Sequence, residues 1–283
     1  MRFDSIVEKI GKNGILRRQR AQLAEPPVLN NGTRFPYGPF QFKVALPKGA
    51  PYTIEASTDL QHWTAIADGV SAVESFDYLD SEAFKFSYRY YRVATEAAMS
   101  VNVLGYASVT LPPGFSMIAN PLDGASNTVA DLFADWPDGT TFNKFDPRMF
   151  RLCENAVKGG KWLNPTERLV PGEGAIFFNP TSEYKLLSFA GDVLQGQVSM
   201  PIPSGFSVRS PQVPQPGSLD DLGFPISDGD VIHLFDRDRQ TYVLHPYEGG
   251  RWTSGSPVLS VGEAFWVAKT VAGNWTTNVA IPD

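Results

Sequence analysis

The sequence is poor in the residues from which most reactive centres are built. A single cysteine, Cys153, excludes an internal disulfide, and three histidines, His62, His233 and His245, leave little material for a zinc site. Cys153 lies in a strand-like run, Phe150 to Glu154, without a histidine beside it in sequence, and reads as a small packing residue. Nucleophile-elbow, Walker, Rossmann and HExxH patterns are missing. No apolar run reaches the roughly 18 residues of a membrane span, and the first 25 residues lack the apolar core of a secretory signal. The formal charge of −6 argues against a nucleic-acid footprint along the whole chain. The expectations are therefore no catalytic residues, no cofactor, no metal, no nucleic-acid partner and no membrane span.

What is present points to a folded β protein. Of 283 residues, 42% are apolar, 12% aromatic and only 19% charged, which excludes long-range disorder and coiled coil. Gly 25 and Pro 23 favour many turns joining short strands. Residues 1–24 differ from the rest: six Lys or Arg against two acids make this stretch +4 and leave −10 for the remainder. Phe3, Ile6, Val7 and Ile10 recur at helical spacing before Gly11 and Gly14, so a short amphipathic helical arm is expected there. Such a helix would not hold its shape alone. Phe3, Ile6, Val7, Ile10, Arg17, Arg18 and Arg20 are the candidate partner contacts, suited to an acidic surface or a neighbouring subunit. A turn-rich connector, Glu25 to Pro39, follows.

From Phe40 the period changes to two. Phe40, Phe42, Val44 and Leu46 alternate with Gln41, Lys43 and Ala45, the pattern of a strand with one buried face. Tyr52 to Ser57, Trp63 to Ala67, Ser75 to Tyr78 and Phe86 to Ala94 continue as short β runs at close spacing, as in a small sandwich. The segments YTIEASTDLQHWTAI (Tyr52 to Ile66), FDYLDSEA and FSYRYYRVA (Phe86 to Ala94) resemble a fibronectin-III-like module of large surface and secreted proteins of Verrucomicrobia and Planctomycetes. The resemblance implies a turn at Asp59, a core-filling Trp63, and a spacer or adhesion role at the bacterial cell surface. That placement conflicts with the missing secretory signal.

The C-terminal two thirds contain an internal match. Residues 138–178 align without gaps to 228–268 at an offset of 90, with identities at Asp138/Asp228, Gly139/Gly229, Phe145/Phe235, Asp146/Asp236, Gly159/Gly249, Gly160/Gly250, Trp162/Trp252, Leu169/Leu259, Gly172/Gly262 and Glu173/Glu263. Upstream, LPPGFSM (Leu111 to Met117) echoes IPSGFSV (Ile202 to Val208). Two tandem β units are thus expected, packed about a pseudo-twofold axis, with short helical turns at Thr128 to Phe133 and Ser218 to Leu222. The Gly-Phe-Ser to Pro-Gly-Glu-Gly arrangement also resembles a β repeat near the C-termini of bacterial surface proteins. Ala175 to Phe178 and Ala264 to Ala268 are too continuously apolar for half-exposed strands and are expected to be central. The division is 1–39 arm and linker, 40–98 sandwich, 99–195 first copy and 196–283 second copy.

The remaining candidates are weighed by position. Asp228, Asp230, Asp236 and Asp238 lack the spacing of a calcium loop and suit turns held by Asp side chains. Glu173 and Glu263 are equivalent in the two copies, which favours turn amides over a glycosidase pair. Trp162, Trp252, Tyr247, Trp266 and Trp275 would stack on sugar rings if exposed, with Trp162, Trp252 and Tyr247 the ligand-stacking candidates; core burial is the competing reading. The overall expectation is an all-β, non-enzymatic structural subunit of a larger assembly, docking through its arm to other protein subunits such as copies of itself. The alternative is a secreted or surface-attached module that binds polysaccharide.

Overall fold

The computed structural model describes residues 25–280, together with the backbone of two short strands, Lys9–Ile10 and Leu16–Arg17, which pair antiparallel. The rest of the expected helix, with Phe3, Ile6 and Val7, lies outside the described residues, as do Arg18 and Arg20. At its C-terminal end the expectation is corrected: Lys9–Ile10 is extended and pairs with Leu16–Arg17. The described chain is otherwise β throughout, with one short helix, Val129–Leu132, and one 3-10 turn, Ala83–Lys85. Among the described residues no helix is long and apolar enough to cross a membrane.

Two sheets face each other in the N-terminal part. One orders Val28–Arg34, Phe40–Ala45 and Ser75–Asp80; the other orders Thr64–Val70, Pro51–Ser57, Tyr88–Thr95, Leu104–Leu111 and Lys185–Asp192. Phe40, Phe42 and Val44 point inward, as their alternation requires, and meet Ile54, Tyr91, Val93 and Tyr106 from the opposite sheet. The rings of Phe40 and Tyr91 stack 5.3 Å apart. Val28–Arg34, inside the expected connector, is a strand because its bulge between Asn30 and Thr33 absorbs the turn-like residues. A side chain at Gly32 would put its Cβ 2.8 Å from the Phe40 ring, so glycine is needed there. Trp63 is not in this core. It is half-buried on the outer face of the second sheet, beside Leu60 and Tyr90, with the Arg92 guanidinium 4.3 Å above its ring.

The larger sheet passes through position 98 without a break, because Tyr88–Thr95 pairs with Leu104–Leu111, which in turn pairs with Lys185–Asp192. This last ribbon covers one face of a further sheet, ordered Gly114–Ile118, Ala175–Asn179, Thr141–Asp146, Arg151–Lys158 and Lys161–Trp162. Ribbon and sheet form a first lobe around Leu111, Phe133, Phe142, Phe177 and Phe189. A second lobe has the same order: Gly205–Arg209, Phe265–Lys269, Val231–Asp236, Thr241–Glu248 and Arg251–Trp252, behind a ribbon of Gly196–Ile202 and Gly273–Val279. Its core holds Ile202, Ile232, Phe265, Val267 and Trp275.

The residues identical between the lobes fix turns and core. Asp138 accepts the amides of Gly159 and Gly160 at 2.8 and 2.7 Å, and Asp228 accepts that of Gly250 at 2.8 Å, anchoring hairpins whose paired glycines sit at positive φ. Asp146 accepts the Arg148 amide, as Asp236 accepts that of Asp238. Glu173 and Glu263 each accept the amide three residues back, from Val170 and Ser260. The expected helical turns are one short helix capped by Thr128, whose hydroxyl accepts the Asp131 amide, and a single turn at Ser218, whose hydroxyl accepts that of Asp221.

The lobes meet by reciprocal contacts. The Ala119 amide donates to Gly262 O and the Ser210 amide to Gly172 O, both at 3.0 Å. Isolated bridges join Ile118 to Glu263 and Glu173 to Arg209. Met117, Ala119, Val208 and Ala264 fill the seam, and a Cβ at Gly174 would lie 2.5 Å from that of Ala264.

Candidate functional site, an aromatic cleft between two lobes

Each lobe sheet has one face against its ribbon. The other face turns to the opposite lobe, and this explains the continuous apolar run from Ala175 to Phe178: Ala175 and Phe177 enter the lobe core, while Ile176 and Phe178 face the gap. The strand is flanked on both sides, as expected for a central one.

The gap is a cleft with two compartments. The larger, about 510 Å3, is lined by Phe115, Phe178, Phe235 and Tyr242, with Thr141, Asn143 and Glu154 at its polar side. The smaller, about 380 Å3, is lined by Phe145, Phe150, Phe206, His233 and Trp266. Leu152, Ile176 and Tyr242 line both. Ring pairs build the walls: Phe115 with Phe178 at 4.8 Å, Phe235 with Tyr242 at 5.0 Å, and, across the lobes, Phe145 with Trp266 at 4.8 Å and Phe150 with Phe206 at 5.9 Å.

Polar contacts hold the two walls in register. The Phe115 amide donates to Gln240 Oε1 at 2.7 Å, Gln240 Nε2 donates back to Phe115 O at 2.9 Å, and the Arg237 guanidinium donates to Met117 O at 3.2 Å. The Trp266 indole donates to the Tyr242 hydroxyl at 3.2 Å. Asn143 is turned inward on Thr141 Oγ1 and Ile176 O. Burial lowers the pKa of His233 and raises that of Tyr242, so both are neutral at pH 7. Among the described residues the lining carries no charge apart from Glu154, yet Phe115, Phe150, Leu152, Phe206 and Tyr242 remain exposed. A face of this kind is suited to desolvating apolar side chains.

The positions singled out from sequence fall elsewhere. Trp162 is buried, donating its indole N–H to Phe133 O at 2.9 Å, and offers no ring face to a ligand. Trp252 is half-buried, edge-on to Tyr247 at 5.2 Å, with its N–H on the Asp220 carboxylate at 2.9 Å. Trp275 is in the second core; of the aromatic set, Trp266 alone reaches the cleft. Of Ile10 and Arg17 only backbone is described. Cys153 is half-buried, and strand alternation turns it away from the face of Leu152. His245 contacts Gly255 O and Ser254 in a turn. Asp230 is engaged by Lys269, Thr270 and Ser227. Among the described residues no group of three or more His, Cys, Asp or Glu is placed to hold a metal ion.

Phe115, Leu152, Ile176, Phe206 and Tyr242 were not singled out from the sequence. The available signal was apolar character on both faces of Ala175–Asn179, together with Phe145/Phe235 and the shared Gly-Phe-Ser phenylalanines. No protein-family model and no curated protein matches the chain.

Proposed function

We propose that the protein is a non-enzymatic docking subunit of a larger protein assembly, made of a fibronectin-III-like sandwich and a duplicated β unit whose two copies pack about a pseudo-twofold axis. The observation that carries this reading is the interlobe cleft: a solvent-open row of aromatic and aliphatic side chains, held in register by cross-lobe hydrogen bonds and nearly free of charge. Apolar peptide side chains fit such a lining. Sugar hydroxyls would find few free polar partners, since Asn143 is already engaged. The reciprocal contacts at Ala119 with Gly262 and Ser210 with Gly172 support the pseudo-twofold description.

The test is the mass of the full-length protein by light scattering over a range of concentrations. Assembly is expected for the wild type, and its loss for Leu152→Glu, a substitution at an exposed strand position, with the circular dichroism spectrum unchanged. Equal assembly by Leu152→Glu would overturn the reading. A second reading rests on the half-exposed Trp252 beside Tyr247 and the Asp220 carboxylate, a ring-and-acid pair suited to a sugar edge. It expects glycan-array binding that Trp252→Ala removes.

A further inference from the structure

We infer that the cleft is the acceptor for residues 1–24 of a second copy of this chain, a conclusion that rests on the docking reading above. Three observations converge on this occupant. The leader carries apolar side chains at Phe3, Ile6 and Val7, and again at Ile10, Ile15 and Leu16, which match a cleft divided into two apolar compartments on either side of Leu152 and Tyr242. The leader is +4 in a chain whose remainder is −10, and the larger compartment presents the exposed carboxylate of Glu154.

The third observation is where the leader departs. Pro27 O accepts the Val101 amide at 2.9 Å, and Leu29 is bonded through both N and O to the Asn102 side chain, which also donates to Asp192. The leader therefore leaves beside the Leu104 and Asp192 ends of the first ribbon. That ribbon covers one face of the first-lobe sheet, and the cleft is on the other. Within one molecule the leader would have to wrap around the lobe. With Lys9 paired to Arg17, the steps from residue 24 to 17 and from 9 to 1 still span up to about 50 Å, enough to cross to a neighbour. Donation between copies closes reciprocally as a leader-exchanged dimer or runs head to tail into rings or open filaments.

The experiment compares full-length wild type, full-length Leu152→Glu and a full-length Phe3→Asp, Ile6→Asp double variant by light scattering, and measures binding of a fluorescent peptide of residues 1–24 to the double variant. Expected are concentration-dependent growth of the wild type, monomers for both variants, and saturable peptide binding that weakens at least tenfold when Leu152→Glu is added. A reordered peptide of the same composition should bind at least tenfold more weakly. Normal growth of the double variant together with monomeric Leu152→Glu would overturn the leader as occupant and leave the docking cleft standing. Normal growth of both variants would overturn both. A wild type that stays monomeric while the peptide binds would mean that the leader serves its own cleft, and would overturn the second-copy assignment. Equal binding of the reordered peptide would reduce the contact to charge and overturn it as well.

Discussion

The two lobes share a strand order but fill one buried position with different chemistry. In the first, Thr140 and Asn179 are neutral: Asn179 donates to Pro112 O at 3.2 Å and Glu183 O at 2.9 Å and accepts the Thr181 amide and hydroxyl. In the second, the positions 90 residues on are Asp230 and Lys269, an ion pair almost fully removed from solvent. Its acid also accepts the Ser227 amide at 2.8 Å and the Thr270 amide at 2.7 Å, and Lys269 donates to Pro225 O at 2.5 Å. The same backbone thus tolerates either solution: in the first lobe the buried Thr140 hydroxyl stays without a partner, whereas in the second both buried charges are matched. What distinguishes the solutions is the cost of removing one member.

The largest expected effect follows from that difference. Lys269→Ala leaves a buried carboxylate without its counter-charge and should lower unfolding free energy by about 3–5 kcal/mol. Asn179→Ala should lower it by about 1–3 kcal/mol, both read from urea denaturation. Installing the first lobe's residues as Asp230→Thr with Lys269→Asn should be much milder than Lys269→Ala; an equal loss would show that the two sites are not interchangeable. The pair also makes the second lobe acid-sensitive. Burial alone would raise the Asp230 pKa, but the hydrogen bonds from Lys269, Thr270 and Ser227 outweigh it, and the net shift is downward. Its stabilisation is therefore complete above the unfolded carboxylate value of about 3.9 and is lost as pH falls below that toward the lowered folded value. Asp230→Asn should flatten that part of the stability profile.

The equivalent tryptophans come next. Trp162 is buried among Phe133, Phe142 and Phe177, whereas Trp252 keeps solvent on one side. Trp162→Ala should cost about 3 kcal/mol or more, and Trp252→Ala about half as much, by the same denaturation measurement. Gly174→Ala drives a methyl into Ala264 and Val208 across the seam and should cost about 1–3 kcal/mol. The smallest effect is shared by both lobes. Ser116 and Ser207, the serines of the two Gly-Phe-Ser strands, are buried with unpartnered hydroxyls, so alanine at either should leave stability unchanged or raise it by about 1 kcal/mol.

The scaffold was readable from sequence because local physics writes it there. Period-two alternation marked Phe40–Ala45, and the shared Asp and Gly residues marked turns, since only certain side chains satisfy those amides and only glycine accepts those positive φ values without cost. The cleft was less readable. Its lining comes from strands far apart in sequence, and beyond the shared phenylalanines the equivalent positions differ: Asn143 corresponds to His233, Leu152 to Tyr242 and Ile176 to Trp266. Trp162 and Trp252 stood out through their recurrence, but recurrence followed the fold and not exposure. Trp63 was likewise placed by resemblance in the sandwich core, while the second lobe supplies the surface against which its side of the sheet packs: the neighbouring Tyr90 hydroxyl donates to Pro214 O at 2.6 Å.

The most direct measurement is methyl NMR of the full-length Phe3→Asp, Ile6→Asp protein titrated with the unlabelled peptide of residues 1–24. Shifts confined to the methyls of Leu152, Ile176 and Met117, with those of Val93 and Val267 in the sandwich and second-lobe cores unmoved, are the predicted result. Saturating shifts that map outside the cleft, or no shifts at all, would contradict the account.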